Sequence, residues 1–228
     1  MRKSVEHVFL SEYMRKEYLQ VWKSQGETWV ISNHQTAYAR TRNHGKLKKN
    51  LGESLCYSGR LSSEKGFWDS ASVTRVVLQT YTEMNATFLG PAQDSHVTKE
   101  IESLCKDYPN RFHHIAEYDE ITLSNALQDS TYFLFPSRYS NEASPLVVLE
   151  AQALGNICIT SDVGSLRSDV IPPGISIEIK EWQASVLKIL KEFDLDNTKL
   201  YELSNQIRDT SSKLSMQCSE QLKEVFRV

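Results

Sequence analysis

The chain has 228 residues, 40% hydrophobic and 24% charged, enough for one substantial core or two small ones. Its formal net charge of −3, with Lys and Arg spread along the chain, argues against nucleic acid or an anionic membrane as partner, although a small anionic ligand needs only one or two local cations. Four widely spaced cysteines, Cys56, Cys105, Cys158 and Cys218, match neither zinc-ligand pairs nor a disulfide scaffold, so reduced thiols in a cytosolic protein are expected.

The opening MRKSVEHVFLSEYMRKEYLQ lacks the apolar run of a signal peptide, and no stretch approaches the length of a membrane span. HVFL, a helix from Ser11 to about Gln25, and TWVIS form a βαβ piece too small to be a domain. It is expected to extend the edge of the main sheet or to belong with something outside this chain. The apolar face of its helix, including Tyr18, Val21 and Trp22, should pack onto that edge or self-associate. The polar, basic NHQTAYARTRNHGKLKKNLGES then reads as a linker, and its HGKLKKNLG lacks the Ser or Thr of a phosphate-binding loop.

From Leu55 onward, short β-rich runs alternate with segments of helical period. Strands are expected at 55–59, 86–90, 112–116, 132–136, 156–160 and 175–179. Helices are expected at 68–83, 94–107, 119–129, 145–154, 181–193, 197–208 and 212–226. Right-handed crossovers place helices on both faces of a mostly parallel sheet, a doubly wound α/β sandwich over 55–228 preceded by a separate piece, 1–54.

Several motifs have plain readings. Asp194 and Asp196 in FDLDN stand between two helices and read as helix stop and cap rather than as metal ligands. His113 and His114 face opposite ways in a strand, so they cannot chelate one ion together, and a core or interface role suits each. Two places are more informative. In YSGRLSSEKGF the strand ends at Gly59 and delivers Arg60 and Lys65 to the sheet edge where open α/β sheets bind ligands. A guanidinium fork and an ammonium suit a diphosphate, and the plainer reading is ordinary surface.

The second is SRYSNEASPLVVLEAQALG, a loop followed by a helix that Gly155 closes. Pro145 fits the first helical position and Ser144 the N-cap, so free backbone N–H groups and the positive dipole end face the same crevice. Glu142, just before the turn, is placed to accept from sugar hydroxyls. Glu150 lies among Leu146, Val147, Val148, Leu149 and Ala151, where a carboxylate needs a polar partner that paired ribose hydroxyls would supply. The plainer readings are a dipole-favoured capping acid for Glu142 and a solvent-facing helix residue for Glu150.

SGRLSSEKG, followed by HIAEYDEITLSNALQDSTYFLFPSRYSNEASPLVVLEAQALGNICITSDVG, resembles the C-terminal, donor-binding half of retaining GT-B glycosyltransferases of family 4, the glycosyl transferases group 1. The likeness runs from about Leu55 through the closing KLSMQCSEQLKEVF. It implies a Rossmann-like domain in which Gly59, Arg60 and Lys65 meet the diphosphate of a UDP- or GDP-linked sugar. It further implies that Glu142 contacts the donor sugar and Glu150 the ribose, that the backbone from Ala143 through Ser144 and Pro145 to Leu146 holds sugar and phosphate, and that the loop with Glu117 and Tyr118 flanks the base. Catalysis would fall to Glu142, Arg60 and Lys65, with retention of configuration and without a metal or other cofactor.

The resemblance also implies a glycan or lipid-linked acceptor, a role in bacterial surface polysaccharide or lipopolysaccharide assembly, and a place in the cytoplasm or at the inner face of the plasma membrane. Residues 1–54 would be the remnant of an acceptor domain and the interdomain linker. The alternative is a truncated or split nucleotide-sugar binding module without activity of its own, served by a partner chain or by self-association. One departure stands out. The family's common Glu-Gly-Phe-Gly is here Glu142, Ala143, Ser144 and Pro145, and Pro145 has no N–H to offer.

Overall fold

Strands whose residues are apolar on both faces belong in the middle of a parallel sheet covered by helices on each side. In a computed structural model, which describes residues 6–22, 26–41, 54–192 and 197–226, this is what the chain builds. Strands β3 (Ser54–Ser58), β4 (Asn85–Leu89), β5 (Phe112–Ile115), β6 (Tyr132–Phe135), β7 (Ile157–Ser161) and β8 (Ile175–Ile177) form one parallel sheet in the order β5-β4-β3-β6-β7-β8. Alternate residues feed two cores. Leu55 and Tyr57 of β3 and Leu134 of β6 join Phe67, Phe88, Phe112 and Trp182 on one face, while Cys56, Phe133 and Phe135 join Val148, Ala151 and Cys158 on the other.

Local signals start the helices. Asp94 accepts from the backbone N–H groups of His96 and Val97 (2.9 and 3.0 Å) ahead of α4 (Ser95–Asp107), and Asp119 accepts from Thr122 N (2.8 Å) ahead of α5 (Glu120–Gln128). The remaining helices of the main unit are α3 (Phe67–Thr80), α6 (Leu146–Ala153), α7 (Leu166–Asp169), α8 (Trp182–Glu192) and α9 (Asn197–Phe226).

Two expectations change, and for the N-terminal piece one of two alternatives falls. The two closing helices are one 30-residue helix, α9. Buried Leu200, Ser204, Ile207, Ser211, Ser215 and Cys218 keep one face in register through the Ser- and Thr-rich stretch that reads as a break, so tertiary burial overrides weak local propensity. The supposed linker contains α2 (His34–Thr41), which buries His34, Ala37 and Thr41 and packs against α6 and α9. The N-terminal strands β1 (His7–Phe9) and β2 (Thr28–Val30) pair with each other in a separate two-stranded sheet rather than extending the main one. Between them α1 (Glu12–Val21) buries no residue: Tyr18 leans on the rings of His7 and Phe9 at 5.1 Å, whereas Val21 (74%) and Trp22 (63%) are exposed.

His113 is exposed, so it has no core role, while half-buried His114 places Nε2 2.9 Å from the Gly90 carbonyl. Asp194, Asp196 and the HGKLKKNLG stretch lie outside the described residues.

Candidate functional site

The strand order reverses between β3 and β6, and the crevice outside the carboxyl ends of such strands is where open α/β sheets take ligands. A pocket of about 550 Å³ opens there. Ser58, Gly59 and Lys65 line it from the β3 end, Phe135 from β6, and Glu142, Pro145, Leu146, Val147 and Glu150 from the β6–α6 connection and α6. Tyr118, Asp119 and Glu120 close one side, and Arg40 and Thr41 reach in from α2.

Lys65 is held by its backbone. The hydroxyl of fully buried Tyr57 donates to the Lys65 carbonyl (2.9 Å), and burial, reinforced by the Glu142 charge, pushes that phenol well above its ordinary range. The next residue, Gly66, has φ +74°, and a Cβ there would stand 1.9 Å from the Pro136 carbonyl oxygen. Only glycine lets this turn close on the end of β6. Gly66→Ala is therefore expected to destabilise the fold by about 2–3 kcal/mol in chemical denaturation, because the left-handed φ and the backbone clash penalise the same atom.

So placed, Lys65 Nζ donates to Glu142 Oε1 and stands 5.2 Å from the centre of the Tyr139 ring. The same carboxylate oxygen accepts from the Ser137 hydroxyl (2.5 Å), and the Ser137 carbonyl accepts from Ser161 Oγ (2.5 Å). Glu142 is buried, so removing one of these partners would leave its carboxylate poorly satisfied. Its own backbone carbonyl accepts from Ser165 N (2.9 Å).

The loop that follows departs from the expected helix start. Helix α6 begins at Leu146, with Pro145 at the cap position in an extended conformation (ψ 121°) and no side-chain cap bond. Ser144 is not the N-cap. It takes φ +49°, donates its N–H to Ser165 Oγ (2.6 Å), and accepts from Asn33 through both its hydroxyl (3.3 Å) and its carbonyl (2.9 Å). Its amide is thus committed within the protein, and the backbone donors left for the pocket are those of the first turn, where Leu146 and Val147 line it. Ser165 Oγ in turn donates to Asp169 Oδ2 (2.6 Å), and burial pushes the Asp169 carboxyl up to about 6.

Glu150 is only 4% exposed, which overturns the solvent-facing reading, and burial raises its carboxyl above the ordinary range. A partner meets it. Arg40 Nη1 lies 3.2 Å from Glu150 Oε1, and Arg40 Nε lies 3.3 Å from Glu120 Oε1. The structure therefore brings Gly59, Lys65, Tyr118, Glu142, Pro145, Leu146 and Glu150 around one pocket. Arg60 stands outside its lining, 57% exposed and paired with Glu64 at 3.1 Å, and exposed Glu117 and half-buried Ala143 are outside it too. Sequence reasoning missed Arg40 and Ser137. The available signal for Arg40 was the i, i+3, i+7 spacing of His34, Ala37 and Thr41, which marks a helix in the presumed linker.

Among the described residues no group of three His, Cys, Asp or Glu side chains could hold a metal ion, and no helix is long and apolar enough to cross a membrane. The family model described as glycosyl transferases group 1 matches residues 39–210, from within α2 into α9. No curated protein matches the chain in sequence.

Solved structures with the same fold include the sucrose-phosphate synthase of Thermosynechococcus elongatus (20% identity, TM-score 0.65, covering 97% of this chain and 58% of that one). They also include a TarM variant of S. aureus in complex with fondaparinux, alpha-GlcNAc-glycerol and UDP (16%, 0.70, 97% and 43%). A third is Anabaena HepE in complex with UDP and glucose (16%, 0.65, 96% and 62%). The chain thus spans roughly half the length of the structures it matches.

Proposed function

This chain belongs to the glycosyl transferases group 1 family, and from that premise we propose that it binds a UDP- or GDP-linked sugar and serves its transfer, with retention of configuration, to a glycan or lipid-linked acceptor. The observation that carries the reading is the Lys65–Glu142 pair beside the start of α6, inside the switch-point pocket. When a glycosidic bond to a diphosphate breaks, negative charge grows on the departing phosphate. Lys65 and the free amides of the first turn of α6 are donors fixed in advance for that charge, and such preorganisation stabilises a transition state more than flexible groups can. Glu142, with one oxygen engaged by Lys65 and Ser137, offers its remaining acceptor capacity to sugar hydroxyls.

Arg60 joins this set by turning away from Glu64 toward the phosphates, an exposed pairing that costs little to break. Glu117 and Tyr118 flank the base, with the Tyr118 hydroxyl 3.0 Å from Ser58 Oγ. The setting that fits is bacterial surface polysaccharide or lipopolysaccharide assembly, in the cytoplasm or at the inner face of the plasma membrane.

The chain spans 58% and 43% of two of these neighbours, and a second reading takes it as a donor-binding module without activity of its own, whose acceptor platform lies outside residues 1–228. Calorimetric titration of the chain with UDP and with GDP tests what the two readings share. Saturable binding of one of them is expected, and absence of heat with both sinks the donor site. Transfer by the chain alone would dismiss the second reading.

A further inference from the structure

Glu150 is a buried acid on a helix whose neighbours Val148, Leu149 and Ala151 are fully enclosed, yet it faces the pocket. Its described ion-pair partner comes from 110 residues away, in a helix that the composition of the chain does not announce. Arg40, its side chain 40% exposed, stands between two acids. Its Nε faces Glu120 at the start of α5, its Nη1 faces Glu150, and the backbone of α2 is packed onto α6 and α9. A planar guanidinium paired on two sides orients a carboxylate better than a lysine ammonium would.

We propose that Arg40 is a positioning residue for the nucleoside half of the donor: by fixing the Glu150 carboxylate toward the pocket, it presents a preset acceptor to the two ribose hydroxyls. The inference rests on the nucleotide-sugar reading above and adds to it a residue from the N-terminal segment. Geometry supports the assignment of the two ends. Glu150 lies four residues beyond Leu146, about 6 Å along the helix axis from the anion-facing first turn. A nucleoside whose phosphates meet Lys65 and that first turn therefore has its ribose beside Glu150 and its base toward Tyr118. Burial raises the Glu150 carboxyl and Arg40 opposes that rise, so removing the guanidinium favours a protonated acid, which cannot accept from a vicinal diol through both oxygens.

The test is calorimetric titration of the full chain and of Arg40→Gln and Arg40→Lys, with UDP and 2′,3′-dideoxy-UDP, and with GDP and its dideoxy analogue in parallel. For the base it accepts, the wild type should bind the natural nucleotide about tenfold to a hundredfold more tightly than the dideoxy form. Arg40→Gln should lose most of that preference by weakening the natural nucleotide while leaving the dideoxy form nearly unchanged. Arg40→Lys, which keeps the charge, should recover part of the preference. Equal weakening of both nucleotides, or no change in either, overturns the positioning role. If the wild type binds no nucleotide at all, the donor reading itself fails and takes this inference with it, so the two failures are distinct.

Discussion

Lys65→Ala is expected to abolish nucleotide binding and, independently, to destabilise the folded chain by about 2–4 kcal/mol, because it strands a buried carboxylate. Glu142 is buried, and Lys65 and Ser137 share its Oε1. Removing the ammonium leaves one neutral hydroxyl against a full charge on a carboxylate that is itself only 5% exposed. The figure is set below that of a fully enclosed pair because the Lys65 side chain keeps 24% of its surface exposed.

A double variant separates the two roles. In Lys65→Met with Glu142→Gln, the amide oxygen still accepts from Ser137 and no charge is buried, so stability should return to within about 1 kcal/mol of the wild type. Binding should not return, since the cation is gone. Urea denaturation and calorimetry on the same samples read both quantities. A Lys65→Ala chain as stable as the wild type would show that the pair is not held in the folded state, whereas full nucleotide binding by the double variant would remove Lys65 from the site.

Acid should reveal a second large effect, hidden in the wild type by cancellation. His34, whose Nδ1 lies 2.5 Å from Ser32 Oγ, is buried, and burial lowers its imidazole from 6.5 to about 4. The unfolded chain binds that proton first, so the contribution of neutral His34 is complete above pH 6.5 and is lost as the pH falls toward 4. Asp169 behaves oppositely. Its carboxyl is raised from 3.8 to about 6 by burial, so its contribution is complete below pH 3.8 and is lost as the pH rises through 6. Each amounts to about 3 kcal/mol, so between pH 6 and 4 the two nearly cancel.

Glu150, raised by burial, works in the same direction as Asp169. Asp107, Asp119 and Asp162, held below the ordinary range by Arg75, Thr122 and Arg167, exert their effects at lower pH. Asp169→Asn, which still accepts from Ser165, should therefore lose about 3 kcal/mol more than the wild type on going from pH 6.5 to 4. His34→Gln should gain by a similar amount over the same interval. Denaturation midpoints measured across that range check both signs, and three parallel profiles would rule out the opposed pair.

Much of this molecule is legible in the order of its residues. The alternation of β-rich runs with helical segments, the apolar strands YFLF and ICITS, and the caps Asp94 and Asp119 are local features, and each of these elements forms where its pattern points. Lys65, Glu142 and Glu150 also stand out, because an acid beside a helix start and an acid inside an apolar helix violate the local pattern unless something meets them.

Most of what meets them is not local. Only Ser137 is a near neighbour of Glu142; Lys65 joins it from another loop, Ser165 and Asn33 take up the backbone of Ser144, and Arg40 reaches Glu150. The same holds for the polar α2, whose short apolar spacing is easily passed over, and for the continuity of α9 across its expected break, both of which pack against α6. The doubly wound sheet and the candidate acids follow from the order of the residues, since period, caps and turn glycines act over a few positions. Most partners of those acids follow from the fold, because ion pairs and hydrogen bonds such as Lys65–Glu142 and Arg40–Glu150, 77 and 110 positions apart, depend on the packing of whole elements and leave no trace in local spacing.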